Sequence, residues 1–173
     1  MSTATPLIPR EILFGNPDKA ALRVSPDGAR LAFLAPVNGV LNVWVGPADR
    51  PETAQPVTRD RGRGVQTYFW AYTSQHIVYL QDDGGDENWK VHVVDLATTT
   101  DRDLTPFDTI PGPDGQPILL PNGKPMRPAA QIENVSHLFP ETILVGLNTR
   151  DPRYHDLYRL DIQPAGQFPL AVR

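Results

Sequence analysis

Apolar residues in this chain fall into short runs set off by polar turns, a pattern that predicts strands rather than helices. The segments VSPDGARLAFL (Val24 to Leu34), FWAYTSQHIVYL (Phe69 to Leu80) and VSHLFPETILVGL (Val135 to Leu147) each place a polar turn ahead of an apolar run. A loop and a second β-like run follow each one: VLNVWVG from Val40, WKVHVVDL from Trp89 and DLYRLDI from Asp156. Three hairpins are therefore predicted. Asn38-Gly39 suits the positive φ angles of a two-residue type I′ turn, while Asp82-Asp83-Gly84-Gly85 and Arg150-Asp151-Pro152 suit longer connections. Alternation along the return strands puts Leu41, Val43 and Val45 on one face, then Trp89, Val91 and Val93, then Tyr158, Leu160 and Ile162. These are the core candidates. No segment holds a helical period, apart from a short turn near Arg10 to Phe14.

The hairpins recur as larger units. Each return strand ends near an aspartate, and a further short run follows, near Val57, Leu104 and Leu170. Asp49 and Asp95 are 46 residues apart, a spacing that matches a four-stranded propeller blade. Asp95 and Asp161 are 66 apart, and the excess has a visible source in the Pro/Gly-rich segment IPGPDGQPILLPNGKPMRP, residues 110–128. It reads as an inserted loop or small projecting hairpin. The expected fold is all-β: a partial β-propeller of about three four-stranded antiparallel blades, with units near 20–58, 65–105 and 130–173. Closed propellers have about 4–8 blades, so the ring is incomplete and its terminal strands need covering.

Composition narrows the classes. The 173 residues include 13 glycines and 19 prolines, heavy for a helical protein, and no cysteine, which excludes disulfide scaffolds, zinc ribbons and thiol nucleophiles. A formal charge of −4 without a long basic stripe argues against nucleic acid, and the Arg59, Arg61 and Arg63 cluster reads as a solvated loop. No signal segment and no long apolar span is visible, so a cytoplasmic protein without membrane contact is expected.

The stretch ILVGLNTRDPRYHDLYRLDI (Ile143 to Ile162), taken with VSPDGARLAFL, the WAY of Trp70 to Tyr72 and QDDGGDENWKVHVVDL (Gln81 to Leu96), resembles the amino-terminal propeller of the prolyl oligopeptidase family of serine peptidases. The acylaminoacyl-peptidase and dipeptidyl-aminopeptidase branch is the nearest in kind. SPDG alone is weak, and the ordered set with N-x-R-D-P at Asn148 to Pro152 is more specific. The resemblance implies a propeller that covers an α/β-hydrolase domain and admits peptides while excluding folded proteins. It also implies that the catalytic serine, aspartate and histidine lie in the hydrolase part, supplied downstream or by a separate chain. None of Ser2, Ser25, Ser74 and Ser136 sits in G-x-S-x-G, the strand-turn-helix elbow that exposes a nucleophile, so this chain alone is expected to be inactive.

Candidate contacts are few. The acidic loop of Asp82, Asp83, Asp86 and Glu87 misses the spacing of a calcium loop and reads as a solvated hairpin tip. The resemblance gives it a second reading, in which Glu87 with Asn88 contacts a peptide substrate. Arg150 either binds a substrate carboxylate or carbonyl with its planar fork, or pairs with Asp151 or Asp156 to hold its loop. His76, His92, His137 and His155 lack metal spacing, and Trp44, Trp70 and Trp89 read as packing between sheets. Neither a metal nor a cofactor is called for. The open strand edges leave one competing reading, a standalone binding module that completes its ring by self-association or with a partner.

Overall fold

Residues 8–15 and 18–163 are described by a computed structural model. A five-residue helix, α1 (Arg10–Phe14), forms at the expected short turn. Eleven strands follow: β1 (Ala20–Val24), β2 (Arg30–Val37), β3 (Val40–Pro47), β4 (Gln55–Pro56), β5 (Thr67–Trp70), β6 (His76–Gln81), β7 (Lys90–Asp95), β8 (Thr100–Asp103), β9 (Ala130–Ser136), β10 (Phe139–Asp151) and β11 (Tyr154–Asp161). They form antiparallel sheets in chain order, β1 to β4, β5 to β8 and β9 to β11. The array is open rather than closed. The run expected near Leu170, which would be the fourth strand of the last sheet, lies outside the described residues.

Turn chemistry sets the registers. Val37 pairs with Val40 across Asn38 and Gly39, whose φ angles of 51° and 85° are those a type I′ turn needs. Ahead of β2, Ser25 N–H donates to the Arg30 carbonyl, and Asp27 Oδ1 accepts from Ser25 Oγ and Ala29 N–H. The second sheet repeats this turn with Ala71 N–H on the His76 carbonyl and Ser74 at φ 57° in the place of Gly28. The outer edges repeat too. Thr58 Oγ1 accepts the Val43 N–H at 2.9 Å, and Thr105 Oγ1 accepts the Val91 N–H at 3.0 Å, so a threonine hydroxyl extends each ladder where the backbone turns away.

The middle sheet is buried on both faces, which explains the unbroken apolar run IVYL of β6. Ile77 and Tyr79 face the first sheet, packing with Ala32, Leu34, Val43, Val65 and Tyr68. Val78, Val91 and Val93 face the third, against Ile143, Val145, Leu147 and Leu160. Trp89 precedes β7 and is half-buried, so the core face of that strand starts at Val91 instead. Cross-sheet hydrogen bonds add direction. Tyr68 Oη donates to the carbonyl of Ala21, within the bulge of β1, and Trp70 Nε1 to that of Arg23, where the ladder resumes. Trp44 stacks on Phe33 with ring centroids 6.5 Å apart. Among the described residues no helix is long and apolar enough to cross a membrane.

Candidate functional site

The segment between β8 and β9 is a compact piece rather than a loose loop. Ile118 N–H donates to the Ile110 carbonyl, Met126 N–H to Ile118 and Ile110 N–H to Met126, at 2.7–3.0 Å, closing three short runs on a buried Ile110. Its two turns are alike. Asp114 Oδ1 accepts from Gln116 N–H and Asn122 Oδ1 from Lys124 N–H, while Gly115 and Gly123 both take φ 78°.

This insert stands beside the tips of two hairpins, β6–β7 and β10–β11, and leaves a cleft on each side. The larger, about 1010 Å³, is lined by Asp83, Asp86 and Asn88 of the first tip, Asp108, Lys124 and Arg127 of the insert, and Asn148 of β10. The smaller, about 790 Å³, sets an apolar wall of Phe107, Pro111, Pro113 and Ile118 against Thr149, Arg150 and Arg153. Thr109 and Pro152 border both, so the clefts adjoin.

The sequence candidates divide between these places. Asn88 borders the larger cleft and Arg150 the smaller, while Glu87 lines neither. Glu87 is exposed at φ 59°, with its backbone N–H donating to Asp82 Oδ2 at 3.3 Å. Asn88 is tied down by Asp86, whose Oδ1 accepts its N–H at 3.1 Å and whose carbonyl accepts its Nδ2 at 3.2 Å. Arg150 forms a two-pronged pair with Asp156, Nε and Nη2 each 2.8 Å from a carboxylate oxygen. Asp151 pairs with Arg153 instead, and hydrogen bonds from that side chain and its backbone hold the Asp151 carboxyl down to about 2.

The expectation of a wholly solvated acidic tip is corrected at one residue. Asp82 is not part of a solvated tip: its side chain is 1% exposed and lies 2.8 Å from Arg63 Nη1. Arg63 stays in an exposed loop with Arg59 and Arg61, as expected, yet it reaches over Gly85 to meet this carboxylate, and a Cβ at Gly85 would stand 2.9 Å from the guanidinium. The buried carboxylate draws the cation inward because it would otherwise face only the Glu87 N–H. Partial burial works against ionisation of Asp86, yet hydrogen bonds from Asn88 and Arg127 hold it below the ordinary carboxylate range. Arg127 and Lys90, which bridges Asp103 and Asp108 at 3.3 Å, carried no sequence signal because their partners are distant or in irregular loops.

The histidines are dispersed. His76 is buried with Thr73 on Nδ1, His92 stacks on Tyr79 beside Asp101, and His137 meets the edge of Tyr72. Among the described residues no group of three or more His, Asp or Glu is placed to hold a metal ion. The two clefts set fixed charges and amides beside an apolar wall at one end of the sheets.

Fold and clefts together define an open propeller segment with two adjoining clefts at its hairpin tips. No family model matches the chain. Dipeptidyl aminopeptidase BIII of Pseudoxanthomonas mexicana is 44% identical over 158 residues, covering 91% of this chain and 20% of that protein. Dipeptidyl peptidase family member 6 of Caenorhabditis elegans is 29% identical over 161 residues, again covering 20% of its length. The chain thus spans about a fifth of the curated relatives it matches. Among solved structures, Pyrococcus horikoshii acylaminoacyl peptidase superposes with a TM-score of 0.53 at 16% identity, over 90% of this chain and 25% of that one, a likeness of fold. These matches fit an amino-terminal propeller segment of a prolyl oligopeptidase family peptidase.

Proposed function

We propose that this chain is the gating and substrate-selecting propeller segment of a serine peptidase acting on peptides, with the bond-breaking residues in an α/β-hydrolase part. The observation that carries the reading is the 44% identity to dipeptidyl aminopeptidase BIII sustained across 91% of the chain. Its role is steric and electrostatic. Rigid sheets stacked on apolar faces give a wall that a folded protein does not pass, and the paired clefts accept one extended strand. Asn88 offers an amide to a peptide backbone in the larger cleft. Arg150 keeps donors beyond those it gives Asp156, and its side chain is 67% exposed at the rim of the smaller cleft. Glu87 is exposed and lines neither cleft, so it meets a ligand only as it enters. A cytoplasmic setting belongs to the same proposal.

Titration of the ¹⁵N-labelled chain with an unstructured hexapeptide tests this reading. Saturable shifts at Asn88 Nδ2 and Arg150 Nε are expected. Absence of any shift, or shifts confined to the outward face of β9 to β11, would overturn it.

A further inference from the structure

The insert and the two hairpin tips come from different parts of the chain, yet two residues, Arg127 and Ala129, grip both tips. Arg127 Nη1 lies 2.9 Å from Asp83 Oδ2 and 3.2 Å from Asp86 Oδ2, spanning 41–44 residues of sequence. Two positions on, Ala129 N–H donates to Asn148 Oδ1 at 2.7 Å, and Asn148 Nδ2 reaches the Pro152 carbonyl at 3.4 Å. One arm holds the tip that carries Glu87 and Asn88; the other holds the loop that carries Arg150.

We infer that residues 127–129 form a brace that fixes the spacing of the two tips, with Arg127 as the positioning residue that presents Asn88 to the larger cleft. The inference rests on the proposed function for its meaning, though the brace itself is a structural claim. Its logic runs through Asp86. Oδ2 of that carboxylate takes Arg127, while Oδ1 accepts the N–H groups of Asp83 and Asn88, so one side chain couples the brace to the fold of the tip. Without Arg127, Asp83 and Asp86 face each other uncompensated, and the tip opens to separate them. The other end of the brace does not yield in the same way. The insert's three runs are cross-bonded and anchored on buried Ile110, so the wall stays put while the tip moves. Asp83 is 75% exposed and Arg127 37%, so the grip acts on local order rather than on global stability.

Hydrogen exchange on the full chain tests this, comparing wild type with Arg127→Ala, Arg127→Lys and Asp86→Asn. In Arg127→Ala the amides of Asp83, Glu87 and Asn88 are expected to exchange about tenfold faster, with those of Val78, Val91 and Val145 unchanged. Asp86→Asn gives the same pattern from the other side of the grip, and Arg127→Lys restores part of the protection by keeping the charge. In the hexapeptide titration, Arg127→Ala binds about tenfold more weakly, again with partial rescue by lysine. Unchanged exchange in the tip overturns the brace, as does equal acceleration in the core amides, which makes Arg127 a general stabiliser. Faster exchange with unchanged peptide affinity overturns the positioning role. If wild type binds no peptide, the proposed function fails and the brace stands or falls on the exchange data alone.

Discussion

Removing Arg63 offers the sharpest energetic test of the tip. The Asp82 side chain is 1% exposed and accepts from Arg63 Nη1 at 2.8 Å and the Glu87 N–H at 3.3 Å. Arg63→Ala leaves that carboxylate buried with one long hydrogen bond. Breaking a fully buried pair costs about 3–5 kcal/mol, and an exposed pair contributes about 0–1 kcal/mol. Arg63 is 43% exposed, so water screens its share and the expected cost is about 2 kcal/mol. For a chain of this size that lowers Tm by about 4–8 °C. Arg63→Ala with Asp82→Asn recovers about half, because the unpaired charge is gone. Urea and thermal melts by circular dichroism at pH 7 measure both. A single variant within about 0.5 kcal/mol of wild type, or a double variant no better than the single, would refute the claim that a buried charge is held here.

Two further predictions concern the sheets. Thr58→Val leaves the buried Val43 N–H without its acceptor and is expected to cost about 2 kcal/mol in urea melts, with Thr105→Val parallel to it at the equivalent place. A loss under about 0.5 kcal/mol in both would contradict the role given to these hydroxyls. His76 is 3% exposed with no hydrogen-bond partner on Nε2 among the described residues, and burial lowers its pKa from 6.5, against the pull of Asp95 and Glu141 and with help from Arg102. The unfolded chain then takes up a proton that the folded chain refuses, so the histidine's share of stability is full above pH 6.5 and falls as pH drops below it. Melting from pH 7.5 to 5.5 should show a decline in wild type that flattens in His76→Gln; equal slopes would contradict this.

Much of the fold was legible because each signal was local. Asn38-Gly39 fixes its own turn, and the repeated turn before β2 and β6 is written in adjacent residues. The site was less legible because its order comes from pairs far apart in sequence. Nothing near Arg63 marks Asp82 as its partner 19 residues on, and a row of acids reads as solvated until the fold shows that one of them is buried. Arg127 sits among prolines and turns, where no periodicity assigns a direction to a side chain. Arg150 was the easier case, since β10 and β11 bring it to Asp156 within one hairpin.

In the proposed division of labour this segment selects while another part cuts. A direct test puts residues 1–173 in place of the matching stretch of dipeptidyl aminopeptidase BIII, keeping the rest of that protein, and assays this joined protein on a dipeptidyl chromogenic substrate beside the isolated chain. The joined protein is expected to turn over the chromogenic substrate and unstructured peptides but not the same sequence within a folded protein, and the isolated chain to turn over nothing. Turnover by the purified 173-residue chain would contradict the account, as would equal cleavage of folded and unstructured targets by the joined protein.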